Sequence, residues 1–389
     1  MTKVVRGIVT GLLVMCCVLG GTVLRADEPV ARDQVATVEQ LKAAAFTALR
    51  AGQFDKVNEL IARAASMSDD PSLTRMADWL AAFEQQRQQF RADRLRSYND
   101  EVEKVQKLLD GGMPDYAMRA AAVAYTYVED KEQFRREPWV VDLIHTVTRR
   151  ADEYESAGEW LKAVRLYSDL VSIEPFNPTW KERQKLAFRR VRLISAYTPD
   201  RFKQLQESDL ASRKAADALL APSTQPSTQP AEPDDEPFEN DEFKINWRDS
   251  LNGVRADMLR DALDHARTNY WREVGYDVLM IGGLRGIRAV LTTDGLQETF
   301  AGLKDRARVS RFIDVIDEEL ASIAAGAAAD RNAMQRLITR LQAVNMQTVD
   351  LPEEVFVSEF ADGAFGELDP FSAVIWPSGV EEFNKSTQV

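Results

Sequence analysis

Cysteine and histidine are nearly missing from this chain. Cys16 and Cys17, the only cysteines, are adjacent and lie inside an apolar N-terminal run. Beyond that run no thiol remains, which excludes disulfides and thiol chemistry and leaves packing alone to hold the fold. His145 and His265 are the only histidines. Each sits in a helical pattern without a second histidine one turn away, so the usual zinc spacings are excluded. His145 is expected to be a half-buried structural residue. An excess of positive charge is also lacking: 49 basic residues face 62 acidic ones, a net charge of −13. Such a chain repels nucleic acid and anionic lipid, so neither is expected as a partner. The acidic runs Asp69-Asp70 and Asp234-Asp235-Glu236 lack the spacing of a calcium loop. Asp317, Glu318 and Glu319 point in different directions around a helix, which suits solvent more than acid–base work. No cofactor motif is present, and no residue is assigned a catalytic, cofactor-binding or metal-binding role.

Strand-like alternation is scarce too. What is there is Ala, Leu, Arg and Glu with apolar residues at helical spacing, which predicts an all-α protein. Residues 1–26 have the parts of a secretory signal: Lys3 and Arg6, the apolar run 7–24, and Leu24-Arg25-Ala26 before the acidic Asp27-Glu28-Pro29. The expectation is export to the periplasm or cell envelope, with no membrane insertion once the leader is removed. An uncleaved N-terminal anchor is the alternative. Lys3, Arg6 and Arg25 fall in the leader and no acid does, so the chain beyond it is more acidic still.

Residues 35–205 read as paired helices. Val38–Arg50 turns at Gly52 into a helix with Val57, Leu60, Ile61 and Ala64 facing back. A long helix follows over Leu73–Arg96, with Met76, Trp79, Leu80 and Phe83 as its stripe, and a shorter one over Val102–Leu109. In 151–175, Ala151, Tyr154 and Ala157 share a face, Gly158 opens a turn, and Trp160, Ala163, Val164, Tyr167 and Leu170 form the answering face before Pro175. The offset from Gly52 to Val57 recurs from Gly112 to Ala117 and from Gly158 to Ala163. A further helix over Phe176–Tyr197 is expected to lay Trp180, Leu186, Val191 and Leu193 on the last seam, with its basic residues outward. The 151–175 stretch resembles a tetratricopeptide repeat, with small, aromatic, Gly, Ala and Pro residues at that repeat's offsets. The hairpins recur at 60 and then 46 residues, so the array is irregular. The resemblance implies a groove for a protein or peptide partner. Trp79, Tyr125, Tyr127, Trp139 and Trp160 are the aromatics that could line it, although aromatics at this spacing are more often core.

Residues 210–243 contain Pro222-Ser-Thr-Gln repeated as Pro226-Ser-Thr-Gln, then an acidic run. Such a composition cannot bury a core and predicts a disordered tether. From 245 to 389 helical patterning returns as a second, small domain. Its expected helices lie over Ile245–Tyr270, Tyr276–Leu291, Arg311–Ala328, Asn332–Val344 and Glu354–Leu368. Gly282, Gly283 and Gly286 are expected to permit close helix contact; with no preceding strand they do not make a phosphate loop. Asp350 with Glu353, and Ser378 with Glu381, read as capping boxes.

The string Ala361-Asp362-Gly363-Ala364-Phe365-Gly366-Glu367-Leu368-Asp369-Pro370-Phe371-Ser372, with Glu381-Glu382-Phe383 after it, resembles the N-terminal helical region of the C-terminal processing, or tail-specific, serine peptidases. That resemblance implies a helical platform. In that family a PDZ domain and a Ser–Lys catalytic core follow, and neither is found here before Val389, so no nucleophile or base is carried over. Ser372, Ser378 and Ser386 read as turn and cap residues. The expectation is an exported, non-catalytic scaffold or adaptor that binds a protein or peptide partner. The contrasting reading is a truncated processing peptidase.

Overall fold

Several helices in this chain start where a short polar side chain takes a free backbone N–H. Thr37, Asp130, Asn177, Asn246, Asp305 and Asp330 each do so, which satisfies donors that no helical carbonyl can reach. Thr37 and Gln40 bond each other reciprocally at 2.9 and 3.3 Å. The computed structural model describes residues 36–221, 246–369, 371–380 and 383–384. Among them are 15 α-helices and no strand, as the patterning predicts. In chain order these are α1 (Val38–Arg50), α2 (Phe54–Ser66), α3 (Pro71–Asp110), α4 (Pro114–Tyr127), α5 (Lys131–Arg136), α6 (Pro138–Ala157), α7 (Trp160–Ile173), α8 (Pro178–Tyr197) and α9 (Pro199–Leu220). Then follow α10 (Trp247–Ser250), α11 (Ala256–Asn269), α12 (Tyr276–Thr292), α13 (Arg306–Ala324), α14 (Arg331–Gln347) and α15 (Glu353–Phe365). No described helix is long and apolar enough to cross a membrane.

The three turns marked by glycine share one geometry. Gly52, Gly112 and Gly158 have φ of 70°, 72° and 72°. Each turn closes with the residue after glycine donating to a carbonyl five positions back: Gln53 to Ala48, Met113 to Leu108 and Glu159 to Tyr154, at 2.9, 2.8 and 2.9 Å. This is the left-handed helix ending that a Cβ disfavours. Five residues on, Val57, Ala117 and Ala163 are all buried, so the recurring offset marks where the returning helix meets its predecessor.

Two compact units form, one up to Arg91 and one from Ala92 onward. In the first, Ala45, Ala48, Val57, Ile61 and Leu80 make a small core, with Leu41, Ala64 and Leu73 beside it. The expected helices over 73–96 and 102–109 are one helix, α3. No glycine or proline interrupts 72–110, so nothing there breaks helical hydrogen bonding.

In the second unit, α4, α6 and α7 bury Met118, Leu143, Val147, Leu166 and Tyr167 in one cluster. A second cluster joins Leu259, Leu284, Ile287, Phe312, Leu341, Phe356 and Phe360. Between α12 and α15 the backbones nearly touch. A Cβ on Gly286 would lie 2.3 Å from the Glu359 carbonyl oxygen, and one on Gly363 would lie 2.3 Å from that of Gly282. The expected close contact at these glycines is present.

Several boundaries differ from expectation. The helix read over 245–270 is broken at Gly253, whose φ is 81°, into α10 and α11. The first-half array is expected to end near 205 and the linker to begin at 210. Instead α9 continues to Leu220, and 222–243 lie outside the described residues, as does the leader 1–26. The compact units also divide within α3 and not at the Pro-rich segment. The reason lies in α8, which serves two cores: Trp180, Ala187 and Ile194 enter the first-half cluster, while Leu193 and Tyr197 pack with Trp247, Phe300 and Phe356.

Candidate functional site

Between α1, α2 and α3 the first unit holds a groove of about 210 Å³. Phe46 and Leu49 line it from α1, Phe54 from the start of α2, and Met76, Trp79 and Phe83 from α3. Positions 76, 79, 80 and 83 follow helical spacing, but only Leu80 reaches the core. Trp79 stacks on Phe83 with centroids 5.5 Å apart, and Phe54 tilts against Phe83 at 6.0 Å. The Arg87 guanidinium lies 5.0 Å from the Phe54 ring centre, a cation over an aromatic face. Phe46 and Trp79 are each 63 % exposed. Apolar side chains of this size, grouped and left in water, mark a surface that gains from being covered. Charge does not oppose a partner here, because residues 36–91 carry seven basic and seven acidic side chains.

Of the five aromatics that could line a partner groove, the structure puts only Trp79 in this one. Trp160 is core at 3 % exposure. Tyr125 and Trp139 pack around buried Phe134 at 5.5 and 5.4 Å. Tyr127 is half-buried, and its carbonyl accepts from Arg94 Nε at 2.6 Å. Phe46 was not among the expected five. Its signal was available: it falls on the flank of the Leu41, Ala45, Ala48 stripe, where a large ring has no core to enter.

His145 is exposed rather than half-buried, as is His265. Among the described residues no group of His, Cys, Asp and Glu could hold a metal ion. The Asp350–Glu353 capping box does not form as read. α15 begins without a side-chain cap; Asp350 takes a φ of 51°, and Glu353 accepts from the Ala256 N–H at 3.1 Å. The turn is held by Asn345, whose side chain bonds both the N–H and the carbonyl of Leu351, at 2.9 and 2.8 Å. Ser378 lies in a 3-10 turn and donates to the Ser250 carbonyl; Glu381 and Ser386 are outside the described residues. In the Leu368–Ser372 string, Phe371 is 95 % exposed. Asp369 is held below the usual carboxylate range by the Tyr270 hydroxyl and by the Phe371 N–H at 2.8 Å.

Three buried carboxylates organise the second unit. Asp115 accepts from the Tyr154 hydroxyl and lies 3.5 Å from Arg150 Nε; burial and that bond push the tyrosine up to about 12. Asp169 meets Arg119 at 3.2 Å, but burial outweighs the arginine and raises its carboxyl to about 6. Glu359, 1 % exposed, accepts from both terminal nitrogens of Arg192 and from the Tyr197 hydroxyl at 2.6 Å. Arg192 also reaches Asp362 at 3.0 Å. Burial opposes the Arg192 charge, yet the two carboxylates raise its pKa; burial and Glu359 together raise Tyr197. The basic face of α8 is therefore not simply outward: Arg192 clamps α8 to α15. The hint in the sequence was Glu359 itself, set among Val355, Phe356 and Phe360 on an inward face, where a carboxylate requires a cation. A carboxylate held by a two-point guanidinium and a tyrosine hydroxyl is suited to fixing helices.

No protein-family model, curated protein or solved structure matches the chain. What fold and surface define is an all-α protein of paired helices with an open apolar groove.

Proposed function

We propose that this chain is an exported, non-catalytic scaffold or adaptor that binds a partner protein, and that the partner lays one amphipathic helix into the α1–α3 groove. The exposed cluster of Phe46, Leu49, Met76 and Trp79 carries this reading. Apolar side chains from both α1 and α3 suit a helix with apolar anchors at i, i+3 or i+4, and i+7. The tetratricopeptide-like offsets in 35–205 favour the same role, and the likeness of 245–389 to the helical region of processing peptidases fits a platform without its own chemistry. Residues 1–26 are its export signal.

The test is photo-cross-linking in the source cells from a benzoyl-phenylalanine at position 46. One protein should be captured, and Trp79→Asp should abolish the adduct while the far-UV spectrum is unchanged. Absence of an adduct, or one indifferent to Trp79→Asp, refutes the groove. Protein recovered from the cell envelope should begin at Asp27; recovery with Met1 retained in the cytoplasm refutes export. Cleavage of an unstructured peptide, blocked by a serine-directed reagent, refutes the non-catalytic role.

A further inference from the structure

A second groove, chemically opposite to the first, lies between α8 and α12 in the second unit. It has a volume of about 350 Å³, and Arg183, Lys185, Arg189, Arg190, Arg285 and Arg288 line it. Only Glu182 and Glu367 among the lining residues are acidic. In a chain of net charge −13 this is a local reversal of sign.

Most of these cations have a carboxylate. Arg183 meets Asp152 at 2.7 Å, Lys185 meets Glu367 at 2.9 Å, and Arg288 pairs with Asp317. Arg285 shares the same Glu367, at 3.7 Å. Arg189 and Arg190 form no ion pair among the described residues. Arg190 instead donates to the Thr292 carbonyl at 2.9 Å and lies over the Trp160 ring at 4.3 Å. Asp362, Glu359 and Glu367 attract Arg189, and Glu155 and Asp294 attract Arg190, without closing an ion pair. Both guanidiniums are half-buried, and that burial disfavours their charge. A half-buried cation without its own anion is a cost that an incoming anion removes.

Lys185 and Arg285 converge on Glu367, but Arg183 and Arg288 pair elsewhere, with Asp152 and Asp317. Lys185 and Arg189 are one turn apart on α8, and Arg285 and Arg288 one turn apart on α12, so each row is stepped by about 5 Å. Two stepped rows match successive side chains of a peptide better than one phosphate. Leu186, Ala289 and Leu320 add an apolar wall, which side chains can use and a sugar–phosphate backbone cannot. The net negative charge opposes long polyanions.

We propose that the α8–α12 groove docks an acidic peptide segment of a partner protein, whose carboxylates complete the charge of Arg189 and Arg285. The site is independent of the α1–α3 groove. The experiment titrates the full chain with a short labelled peptide of alternating Glu and Leu, and with its Gln-for-Glu twin. The Glu peptide binds and weakens as salt rises; the Gln twin does not bind. Arg189→Gln and Arg285→Gln each weaken binding about tenfold, while Trp79→Asp leaves it unchanged. Arg285 is solvent-facing, so its variant reports even if Arg189→Gln unfolds. The proposal is overturned if the Glu peptide does not bind, if the Gln twin binds equally, or if Arg285→Gln has no effect. Displacement by inorganic phosphate, or tighter binding of a single-stranded oligonucleotide, overturns it equally.

Discussion

Asp169 shows how one residue sets a pH response. It is 2 % exposed, and burial raises its carboxyl to about 6, above the value near 4 of an unfolded chain. The folded state therefore binds the extra proton. The stability Asp169 contributes is fully present below about pH 4 and is lost as pH rises through about 6, a difference on the order of 3 kcal/mol. Asp169→Asn removes the titration. In thermal melts the variant should gain on the wild type at pH 7, and the margin should close as pH falls from about 6 to 4. A margin that widens on acidification contradicts the assignment. Nothing in the sequence singles out Asp169: it stands beside Leu170 on a helix, and whether a flanking position is buried depends on what packs there.

Among the elements, α12 and α15 are set by the absence of side chains. Gly282 and Gly286 face Gly363 and the Glu359 carbonyl at distances no Cβ tolerates. Gly286→Ala pushes against backbone, which cannot rotate away, and should cost about 1–3 kcal/mol in denaturant unfolding. The hairpin glycines act differently. A Cβ at Gly112 meets nothing within 4 Å, yet φ is 72°. Gly112→Ala should cost about 1 kcal/mol through backbone strain alone. A Gly286→Ala protein that unfolds at the same denaturant concentration as the wild type would refute the close-contact account. These elements were readable because glycine and apolar spacing act locally. The cap assignment failed at Asp350, where bonds from Asn345 to Leu351 hold the turn instead, and Ser378 makes a long-range bond to Ser250.

For the whole molecule, the decisive feature is that α8 belongs to two cores. Arg192 to Glu359 and Lys185 to Glu367 tie it to α15 and its end. A chain cut at an engineered protease site within 222–245 should therefore stay together, with 1–221 and 246–389 co-eluting on gel filtration. Fragments that separate without denaturant would restore the picture of two modules joined only by a tether. Leu193→Asp should release them, because it places a charge in the shared core.

By itself the sequence determined the all-α class, the three glycine turns, the helix-contact glycines and most inward faces, since each follows from backbone preference and periodicity within a few residues. Tertiary structure alone decided which side of α8 met which core, that Arg192 answers Glu359, that Trp79 stays in water while Trp160 does not, and that cations from α8 and α12 face one groove. Those outcomes depend on partners up to 167 positions away, and a periodic pattern says that a face is buried without saying against what.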